Sequence, residues 1–578
     1  MRIAVLNRET CRPDKCSPFG QKPCIKYCPM VRTGVKAIIL LNEKKIEIFE
    51  NLCSGCGICV KKCPFNSISI VNLPDPLEDE LYYRYATDGF ALFRMAIPKK
   101  GSVLGLIGPN GCGKSTMLKI LAGEIKLNLG KFGNDAPDWD KIINQFKGSE
   151  LQEYFTNLKE GKKKIIHKPQ NITNIPKMIS GKVGEILKGI DKNNYLDEII
   201  KKLNLEKILN REISVLSGGE LQRMVMAAAY LRNGDIYLID EPTSYLDVSE
   251  RIKMARIIRS LAEKGKTIVV VEHDLAILDY LSDYIAIFYG KPGVYGIVSH
   301  PQGVRNGINI YLQGYIKDEN MRIREEPVIF HIHPPQISSF NKGEVIFSYS
   351  DLEKYVGGFH LKVSGSEIHA GEVIGILGPN AIGKTTFINL IANQMNLNKN
   401  SSQKESTELF VSIKPQYIKP EQDITVENII FNIKSKPHLS APIIKRLINN
   451  LNLRNIEQRK ISELSGGELQ RVEIAKCLAE KADIFLLDEP CAFLDVEMRL
   501  NVAQLIRKII EELKKAAFVV EHDIITQDFI ADSILIFEGV PGIKGHASVP
   551  LELREGFNRF LKVMDITPRQ DNKTKRPR

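Results

Sequence analysis

The 578-residue sequence has no run of about 18 consecutive apolar residues, so a membrane-spanning helix is not expected. Its first residues, MRIAVLNRETCRPDKC, also lack the apolar segment of an export signal, which makes a cytoplasmic protein the expectation. Tryptophan occurs once, yet 43% of the residues are hydrophobic and 26% are charged. That balance excludes collagenous, mucin-like and wholly disordered chains, and the length suggests about four domains.

Neither basic nor acidic residues dominate the composition. There are 80 Lys and Arg residues against 69 Asp and Glu, which gives a net charge of +11. This surplus is compatible with an ordinary, slightly basic surface, and it also fits a polyanionic partner such as RNA. Composition leaves both interpretations open.

Cysteine is scarce after residue 63, since eight of the 11 cysteines lie before residue 64. So many thiols in a short segment of a cytoplasmic protein indicate a metal site rather than disulfides. The run Cys53-Ser-Gly-Cys56-Gly-Ile-Cys59-Val-Lys-Lys-Cys63-Pro has the C-x2-C-x2-C-x3-C-P spacing of bacterial ferredoxins. A looser set supplies four further ligands: Cys11, Cys16, Cys24 and Cys28.

The fourth cysteine of such a run reaches the other cluster in two-cluster ferredoxins. This rule predicts two [4Fe–4S] clusters, one held by Cys28, Cys53, Cys56 and Cys59 and the other by Cys11, Cys16, Cys24 and Cys63. Two zinc sites are the alternative, because zinc also takes four thiolates. Residues 1–75 carry 12 Lys and Arg against six Asp and Glu, which favours structural clusters in a binding domain over electron transfer.

The rest of the chain is an internal repeat. Gly108-Pro-Asn-Gly-Cys-Gly-Lys-Ser-Thr116 recurs as Gly378-Pro-Asn-Ala-Ile-Gly-Lys-Thr-Thr386, and both match the G-x4-G-K-[ST] phosphate loop. Each follows an apolar strand and opens a predicted helix, whose N-terminus can cradle phosphate oxygens. The lysines are expected to reach the β- and γ-phosphates, and Ser115 and Thr385 to bind Mg²⁺. The nucleotide-binding candidates are Asn110, Gly111, Gly113, Lys114, Ser115, Thr116, Asn380, Gly383, Lys384, Thr385 and Thr386.

Further motifs recur in the same order. Leu-Ser-Gly-Gly-Glu-Leu-Gln-Arg occupies residues 216–223 and 464–471, and each copy precedes an apolar strand that ends in Asp-Glu-Pro. The aspartates, Asp240 and Asp488, suit the Mg²⁺ shell, and the adjacent Glu241 and Glu489 suit a general base for the attacking water. A Leu-Asp pair and a Glu-His-Asp run complete each copy, with the candidates Asp247, Asp495, His273 and His522.

Aromatic residues precede the first strand of each half. Tyr85 and Phe90 in the first half, and Tyr355 and Phe359 in the second, are candidates for stacking on adenine. Ordinary core packing is the alternative for all four.

This order of motifs, present twice, resembles tandem nucleotide-binding domains of the ABC type, which are α/β domains with a mixed sheet. The resemblance implies that the two cassettes pair head to tail, with each ATP between one phosphate loop and the opposite signature. Ser217 and Gly219 would then complete the site of Lys384, and Ser465 and Gly467 that of Lys114. The implied catalytic residues, besides the two glutamates, are His273, His522, Gln170 and Gln416, with both glutamines also on Mg²⁺. Asp247 and Asp495 are implied to form the dimer loops.

The two halves differ between the phosphate loop and the glutamine, where the first carries an insertion near residues 135–163. Apolar residues there keep helical spacing and Ser149 with Gln152 matches a capping box, so we predict a helix–loop–helix. It is either a solvated decoration or an arm that contacts RNA or protein. A Gly- and Pro-rich segment follows each cassette, and its duplication argues for paired hinges rather than mere linkers.

A two-cluster ferredoxin-like α+β domain fused to two such cassettes, with an insertion in the first, resembles the RNase L inhibitor family, the E subfamily of ABC proteins. The resemblance covers essentially the whole chain and implies a multidomain α/β protein. Its parts would be an iron–sulfur domain (1–75), a first cassette (76–293), hinge 1 (294–325), a second cassette (326–540), and hinge 2 with a basic tail (541–578). An archaeal source is a further expectation.

The family resemblance implies an Mg²⁺-dependent ATPase that splits ribosomes into subunits after termination or rescue, as ATP-driven closure of the cassettes moves the iron–sulfur domain. The implied partners are the small ribosomal subunit and its RNA, a release-factor-like or rescue protein, and initiation factors. The chain would act as a monomer whose cassettes pair internally. The alternatives are an ATP-driven iron–sulfur redox enzyme and a cassette pair that serves transporter subunits, and the sequence leaves both open.

Overall fold

The structure is a computed structural model. It describes residues 2–6, 11–17, 21–41, 45–49, 52–65, 67–72, 80–86, 89–131, 137–324, 327–328, 344–397, 409–416, 418 and 424–563. The predicted boundary at 75/76, the first residues of the insertion and the basic tail lie outside this part of the chain. Of the helices described, none combines the length and the apolar character needed to cross a membrane.

The cysteine-rich region is a small α+β unit. Its elements are β1 (Arg2–Leu6), α1 (Pro13–Cys16), α2 (Pro23–Lys26), α3 (Pro29–Arg32), β2 (Ile38–Leu41), β3 (Lys45–Ile48), α4 (Ile58–Lys62) and β4 (Ile68–Asn72). Strands β1 and β4 pair antiparallel, as do β2 and β3. The first three helices begin with proline, which suits a first helical position because its missing N–H has no partner there. The ferredoxin-like α+β prediction is confirmed.

The first cassette is an α/β domain. Its elements are β5 (Leu81–Arg84), β6 (Ala91–Phe93), β7 (Val103–Ile107), α5 (Lys114–Leu121), α6 (Trp139–Gln145), α7 (Glu150–Lys159), β8 (Ile165–Lys168), α8 (Ile175–Met178), α9 (Val183–Ile190), α10 (Leu196–Lys202), α11 (Gly218–Leu231), β9 (Ile236–Asp240), α12 (Val248–Glu263), β10 (Thr267–Val271), α13 (Leu275–Leu281), β11 (Tyr284–Lys291) and β12 (Tyr295–Val298). Then come β13 (Gln302–Gly303), α14 (Val304–Gln313), β14 (Tyr315–Ile316) and β15 (Met321–Arg322).

The second cassette repeats this architecture. Its elements are β16 (Val345–Tyr349), β17 (Leu352–Val356), β18 (Phe359–Val363), β19 (Ser366–His369), β20 (Val373–Leu377), α15 (Lys384–Leu397), β21 (Val411–Lys414), α16 (Val426–Lys434), α17 (Ala441–Asn450), α18 (Gly466–Ala479), β22 (Ile484–Asp488), α19 (Val496–Leu513), β23 (Ala516–Val520), α20 (Ile524–Ile530), β24 (Ser533–Val540), β25 (Lys544–Ala547), β26 (Leu551–Glu552) and α21 (Leu553–Val563).

Each cassette is built on a mixed sheet, and the two described sheets have matching orders. The first runs β5-β6-β12-β11-β7-β10-β9-β8 and the second β17-β18-β25-β24-β20-β23-β22-β21. Strands β11, β7, β10, β9 and β8 are mutually parallel, and every residue of β7 and β9 is buried. Parallel strands covered on both faces are apolar throughout, which is why these segments show no alternation in the sequence. The predicted fold class of two ABC-type α/β domains is confirmed.

The predicted hinge boundaries at 294 and 541 differ from the structure. Strand β12 pairs with β11 and β6, and β25 pairs with β24 and β18, so both belong to cassette sheets. The Pro-Gly sequences are tight hairpin turns within those sheets, in which Gly293 has φ +75° and Gly542 has φ +76°. Each turn also reaches the phosphate loop, because the Gly293 amide donates to Gly111 and the Gly542 amide to Ala381.

The segments that follow these hairpins pack as a helix on their own cassette. In α14, Ile308 and Tyr311 belong to the core of the first cassette, and in α21 Phe557 and Phe560 belong to that of the second. Hinge 1 also contacts the other cassette, since an Arg324 guanidinium nitrogen lies 3.5 Å from Glu497 Oε2. Hinge 1 is therefore a packed element that bridges the two cassettes.

The insertion is a helix–loop–helix formed by α6 and α7, with Phe155 buried among Trp139, Phe146 and Tyr154. The Tyr154 hydroxyl donates to the Leu121 carbonyl at 2.7 Å, which fastens the insertion to the end of the phosphate-loop helix α5. The predicted capping box is wrong. The Ser149 hydroxyl donates to Phe146 O at 2.7 Å, and the side chain of Gln152 accepts from Gly148 N at 2.8 Å, because a tight turn joins the two helices.

Candidate active site

The two phosphate loops hold their lysines in the same way. Lys114 Nζ donates to the carbonyl oxygens of Gly108 at 2.7 Å and Pro109 at 2.8 Å. Lys384 Nζ donates to Gly378 at 2.8 Å and Pro379 at 2.7 Å. Burial lowers the pKa of both ammonium groups, that of Lys384 to about 8. The loops therefore hold a buried cation at the N-terminus of a helix, which is an arrangement suited to phosphate.

Glycine is required at the turn into each helix. Gly113 has φ +92°, and a Cβ there would lie 2.7 Å from the ring of Phe90. Gly383 has φ +103°, and its Cβ would lie 3.0 Å from the ring of Phe359. Two of the four predicted adenine-stacking aromatics therefore pack under the phosphate loops.

The two tyrosines among those aromatics are more open. Tyr85 is 49% exposed and its hydroxyl lies 3.2 Å from Thr116 Oγ1, at the start of α5. Tyr355 is 69% exposed and stacks on His360, with ring centroids 4.2 Å apart. Because both rings are exposed, both tyrosines stay candidates for stacking on adenine.

The metal candidates meet at the ends of β9 and β22. Thr385 Oγ1 donates to Asp488 Oδ2 at 2.8 Å, and Ser115 bonds the side chain of Asp240. Burial raises the pKa of both aspartates. Within the described residues Asp240 Oδ1 is buried without a hydrogen-bond partner. A buried carboxylate oxygen without a donor, beside a hydroxyl, fits a Mg²⁺ shell.

The first glutamate candidate is held by three side chains. Gln170 Nε2 donates to Glu241 Oε1 at 2.7 Å, Ser244 Oγ donates to Oε2 at 3.0 Å, and His273 Nε2 lies 3.4 Å from Oε1. Burial by itself raises the pKa of Glu241, but the nearby His273 and the bond from Ser244 outweigh it and bring the pKa to about 2. The carboxylate is therefore ionised at neutral pH.

The second glutamate lacks one of these partners. Gln416 Nε2 donates to Glu489 Oε1 at 2.7 Å and His522 Nε2 lies 3.3 Å from it. The residue that corresponds to Ser244 is Ala492, which carries no hydroxyl. The pKa of Glu489 is still about 2, because His522 and Lys384 outweigh the effect of burial.

The two sites face one another across the cassette interface. Asp495 Oδ2 accepts from the backbone amide of Asn110 at 2.9 Å, and Asp247 Oδ2 accepts from that of Asn380 at 2.9 Å. Tyr245 and Phe493 pack edge to face between the loops, with ring centroids 5.9 Å apart. Each phosphate loop is thus bound by the dimer loop of the opposite cassette.

The signature residues lie beside these loops. Ser217 and Ser465 cap their own helices, α11 and α18, through capping boxes with Glu220 and Glu468. Gly219 and Gly467 abut the dimer loop of the same cassette, where a Cβ would approach the carbonyl of Tyr245 or Phe493 to 3.0 or 2.8 Å. Their role in completing the opposite ATP site stays a prediction.

Sequence reasoning missed Lys168 and Lys414, which are 2% and 1% exposed at the ends of β8 and β21. Both stand two residues before the predicted glutamines, in His-Lys-Pro-Gln and Ile-Lys-Pro-Gln. The recurrence of the lysine was a visible signal, but its burial was not. Ser244 was missed because the sequence does not show that its hydroxyl donates to the carboxylate of Glu241, which Ala492 cannot do for Glu489.

The cysteines fall into two groups. Burial raises the pKa of the Cys24 thiol to about 12, with a further rise from Cys11, Cys16 and Cys63. Burial likewise raises that of Cys59 to about 12, with a further rise from Cys53, Cys56 and Cys28. The Cys53 sulfur accepts from the amides of Ala4 and Gly55, and the Cys63 sulfur from Ser67, each at 3.3 Å.

These groupings coincide with the two predicted ligand sets. Thiols that are close enough to raise one another's pKa, with amides directed at sulfur, fit ligands of iron–sulfur clusters. Among the described residues, no three His, Cys, Asp or Glu side chains converge closely enough to hold a single metal ion. A cubane cluster makes a different demand, because each of its thiolates binds a separate iron.

Family profiles match most functional regions of the chain. The profile described as "ABC transporter" matches residues 96–244 and 361–492. One described as "Possible Fer4-like domain in RNase L inhibitor, RLI" matches residues 1–36, and "4Fe-4S binding domain" matches residues 46–69. The iron–sulfur and cassette assignments therefore rest on separate matches.

Relatives and a solved structure match over the full length. The chain is 52% identical over 100% of its length, and 94% of the relative, to an uncharacterised ABC transporter ATP-binding protein of Methanocaldococcus jannaschii. It is 45% identical, over 100% of the chain and 95% of the relative, to translation initiation factor RLI1 of Saccharomyces cerevisiae. A solved structure of ribosome-bound archaeal Pelota and ABCE1 matches with a TM-score of 0.91 and 48% identity, covering 100% of this chain and 96% of that one.

Proposed function

The chain belongs to the RNase L inhibitor family, the E subfamily of ABC proteins, and is an ATPase; we propose that it is a cytoplasmic ribosome recycling factor. In this proposal, ATP closes the two head-to-tail cassettes and the closure moves the iron–sulfur domain so that ribosomes separate into subunits after termination or rescue. The observation that carries the proposal is the full-length likeness, at TM-score 0.91, to a ribosome-bound archaeal relative.

The ATPase chemistry assigns each residue a separate task. Lys114 and Lys384 bind the β- and γ-phosphates, and a water attacks the γ-phosphorus while the bond to the β-phosphate oxygen breaks. Glu241 and Glu489 take the proton of that water, as their ionised state at neutral pH permits. His273 and His522 orient the glutamates at 3.4 and 3.3 Å.

Four further side chains would bind Mg²⁺, which neutralises charge on the β- and γ-phosphates. They are Ser115 and Asp240 in the first site and Thr385 and Asp488 in the second, with Gln170 and Gln416 next to them. Asp240 Oδ1, which is buried without a hydrogen-bond partner among the residues that the structure describes, supports this set. Tyr85 and Tyr355 are proposed as the adenine platforms, with Phe90 and Phe359 supporting the phosphate loops.

We propose that each cassette's signature completes the opposite nucleotide site. The bonds from Asp495 to the Asn110 amide and from Asp247 to the Asn380 amide support a head-to-tail pairing. Because each bond joins a dimer loop to the opposite phosphate loop, nucleotide binding and closure are coupled at both sites. The chain would act as a monomer, since both halves of the interface lie in one polypeptide.

The iron–sulfur region would hold two [4Fe–4S] clusters, one on Cys28, Cys53, Cys56 and Cys59 and the other on Cys11, Cys16, Cys24 and Cys63. The clusters would supply rigidity to a unit whose described helices have only four or five residues. Lys15 Nζ lies 3.5 Å from Gln458 Oε1 of the second cassette, so this region has a contact through which cassette motion can act on it.

The partners in this proposal are the small ribosomal subunit with its RNA, a release-factor-like or rescue protein, and initiation factors. Support comes from a relative named as a translation initiation factor and from another solved together with Pelota on the ribosome. The net charge of +11 suits contact with ribosomal RNA, to which the helix–loop–helix α6–α7 would contribute.

The proposal is tested by mixing ribosomes with the anaerobically prepared protein and a rescue factor. Light scattering then monitors the splitting of ribosomes into subunits. We expect ATP-dependent splitting by the wild-type chain and none by the Lys114→Met/Lys384→Met variant, which serves as the matched control. If ribosomes do not stimulate ATP hydrolysis and are not split, the recycling proposal is contradicted and the transporter-related alternative is favoured. Cluster reduction coupled to ATP turnover would favour the redox alternative.

A further inference from the structure

Both proposed catalytic glutamates have an uncommon backbone conformation. Glu241 and Glu489 each have φ +46°, in the left-handed region. For a residue with a side chain this conformation is costly, and it persists only where the surroundings hold it.

The amide of each glutamate is bound to the neighbouring strand. The Glu241 amide donates to Val271 O and the Glu489 amide to Val520 O, both at 3.0 Å. The other bonds are made to the carbonyl group on the far side of the residue. In the first cassette Glu241 O accepts from Gln222 Nε2 at 2.7 Å and from Lys168 Nζ at 3.1 Å. The backbone of the glutamate is therefore fixed on both sides.

Lys168 also bonds the residue before the glutamate, since its Nζ donates to Asp240 O at 2.6 Å. One ammonium group thus binds two successive carbonyls, those of the metal candidate and of the general base. The peptide between Asp240 and Glu241 cannot rotate without breaking one of these bonds.

The second cassette repeats the arrangement with the corresponding lysine and glutamine. Lys414 Nζ donates to Asp488 O at 2.8 Å and to Glu489 O at 3.0 Å. Gln470 Nε2 donates to Glu489 O at 2.6 Å. The same lysine and glutamine of the recurring motifs therefore bind this carbonyl in both cassettes.

Both lysines are almost completely buried, at 2% and 1% exposure. A buried ammonium group loses its hydration and is costly unless it is paired, whereas a methionine would fill the same space without that cost. The bond partners of both lysines are the main-chain carbonyls just named. The charge is thus used to bind the backbone of the active site.

The same short segment also holds the carboxylate. Lys168 and Gln170 lie two residues apart, and Gln170 Nε2 donates to Glu241 Oε1 at 2.7 Å. Gln416 does the same for Glu489 at 2.7 Å. The lysine fixes the main chain of the glutamate while the glutamine binds its side chain.

We propose that Lys168 and Lys414 are positioning residues for ATP hydrolysis, which hold the left-handed backbone of the catalytic glutamates so that each carboxylate meets the attacking water. The inference rests on the proposed function, in which Glu241 and Glu489 are the general bases. A positioning residue of this kind acts on turnover and not on ATP affinity, because the phosphates are bound by Lys114 and Lys384.

The test is a double-mutant cycle on the full-length chain, with basal ATPase activity and ATP binding as the measurements. In Lys168→Met/Lys414→Met we expect kcat to fall at least about tenfold while KM and the Kd for ATP stay within about threefold. In the Glu241→Gln/Glu489→Gln background the same lysine substitutions should cause no further loss, because they act through the carboxylate. The exposed Lys202→Met is the matched control and should leave kcat unchanged.

Two outcomes overturn the proposal: an unchanged kcat, with or without a raised KM, or an equal further loss in the Glu→Gln background. If the methionine variant does not fold, Gln222→Leu/Gln470→Leu removes the other donor to the carbonyls of Glu241 and Glu489. It should lower kcat at constant KM, and an unchanged kcat would contradict the proposal. Normal turnover by Glu241→Gln/Glu489→Gln alone would instead refute the general-base assignment.

Discussion

Asp247 and Asp495 each make two kinds of bond, and serine at these positions separates them. Oδ1 caps the residue's own helix by accepting from Glu250 N at 3.0 Å or Met498 N at 2.9 Å. Oδ2 accepts from the opposite phosphate loop at 2.9 Å. Serine is an equally good N-cap, but its single oxygen is used by the cap. Asp247→Ser/Asp495→Ser therefore removes the contacts between cassettes and keeps both helices capped.

The size of the effect follows from the charge on the acceptor. A hydrogen bond to a charged group contributes about 1.5–3 kcal/mol. The amide of Asn380 helps to hold the pKa of Asp247 below its usual value against the raising effect of burial, as expected for such a bond. The two contacts share no partner, so their effects should add to about 3–6 kcal/mol. We assign both bonds to the closed state alone. Since about 1.4 kcal/mol is tenfold, that state should then lose at least about 100-fold in population relative to the open state.

The assay is the release of radiolabelled ATP from the Glu241→Gln/Glu489→Gln protein, in which bound ATP is expected to persist. We expect the two serine substitutions to speed release about 100-fold, and either one alone to speed release from a single site. An unchanged melting temperature verifies that the caps are intact. Retention of ATP as long as in the parent protein would refute the coupling of closure to these two bonds.

Three further changes have defined outcomes. Ser244→Ala, measured with the other site inactivated, should lower turnover about fivefold, because it removes a bond to Glu241 of which about 1 kcal/mol acts in the transition state. The reciprocal Ala492→Ser should not lower turnover. Equal effects of the two substitutions would contradict a difference between the two sites. Cys59→Ser should leave basal ATPase activity intact and abolish subunit splitting, and unchanged splitting would remove the mechanical role of the iron–sulfur domain. Phe155→Ala should destabilise the insertion by about 3–5 kcal/mol, seen as faster hydrogen exchange in residues 139–159, and unchanged exchange there would contradict its role as the core of the insertion.

The elements that could be predicted are those with a local physical cause. The strands 103–107 and 373–377 lie directly before the phosphate loops, as predicted, because a run of buried apolar residues must stop where the loop turns. The two cysteine sets follow from the ferredoxin spacing together with the rule that the fourth cysteine of the run reaches the other cluster.

What could not be predicted depends on distant parts of the chain. The sequence 291–294 has the composition of a linker, but it is a hairpin turn because β12 finds a partner in β6, about 200 residues earlier. Ser149 fails as a cap because the Phe146 carbonyl competes for its hydroxyl. Burial of Lys168 follows from the pairing of β8 with β9, which no local pattern encodes.

The central claim is that the ATP-closed cassette pair is the ribosome-bound state. It is tested most directly by gradient sedimentation of the anaerobically prepared Glu241→Gln/Glu489→Gln protein with small ribosomal subunits, with ATP and without nucleotide. We predict ATP-dependent migration with the subunit, reduced by Asp247→Ser/Asp495→Ser. Equal binding with and without ATP, or no binding in either condition, would contradict the claim.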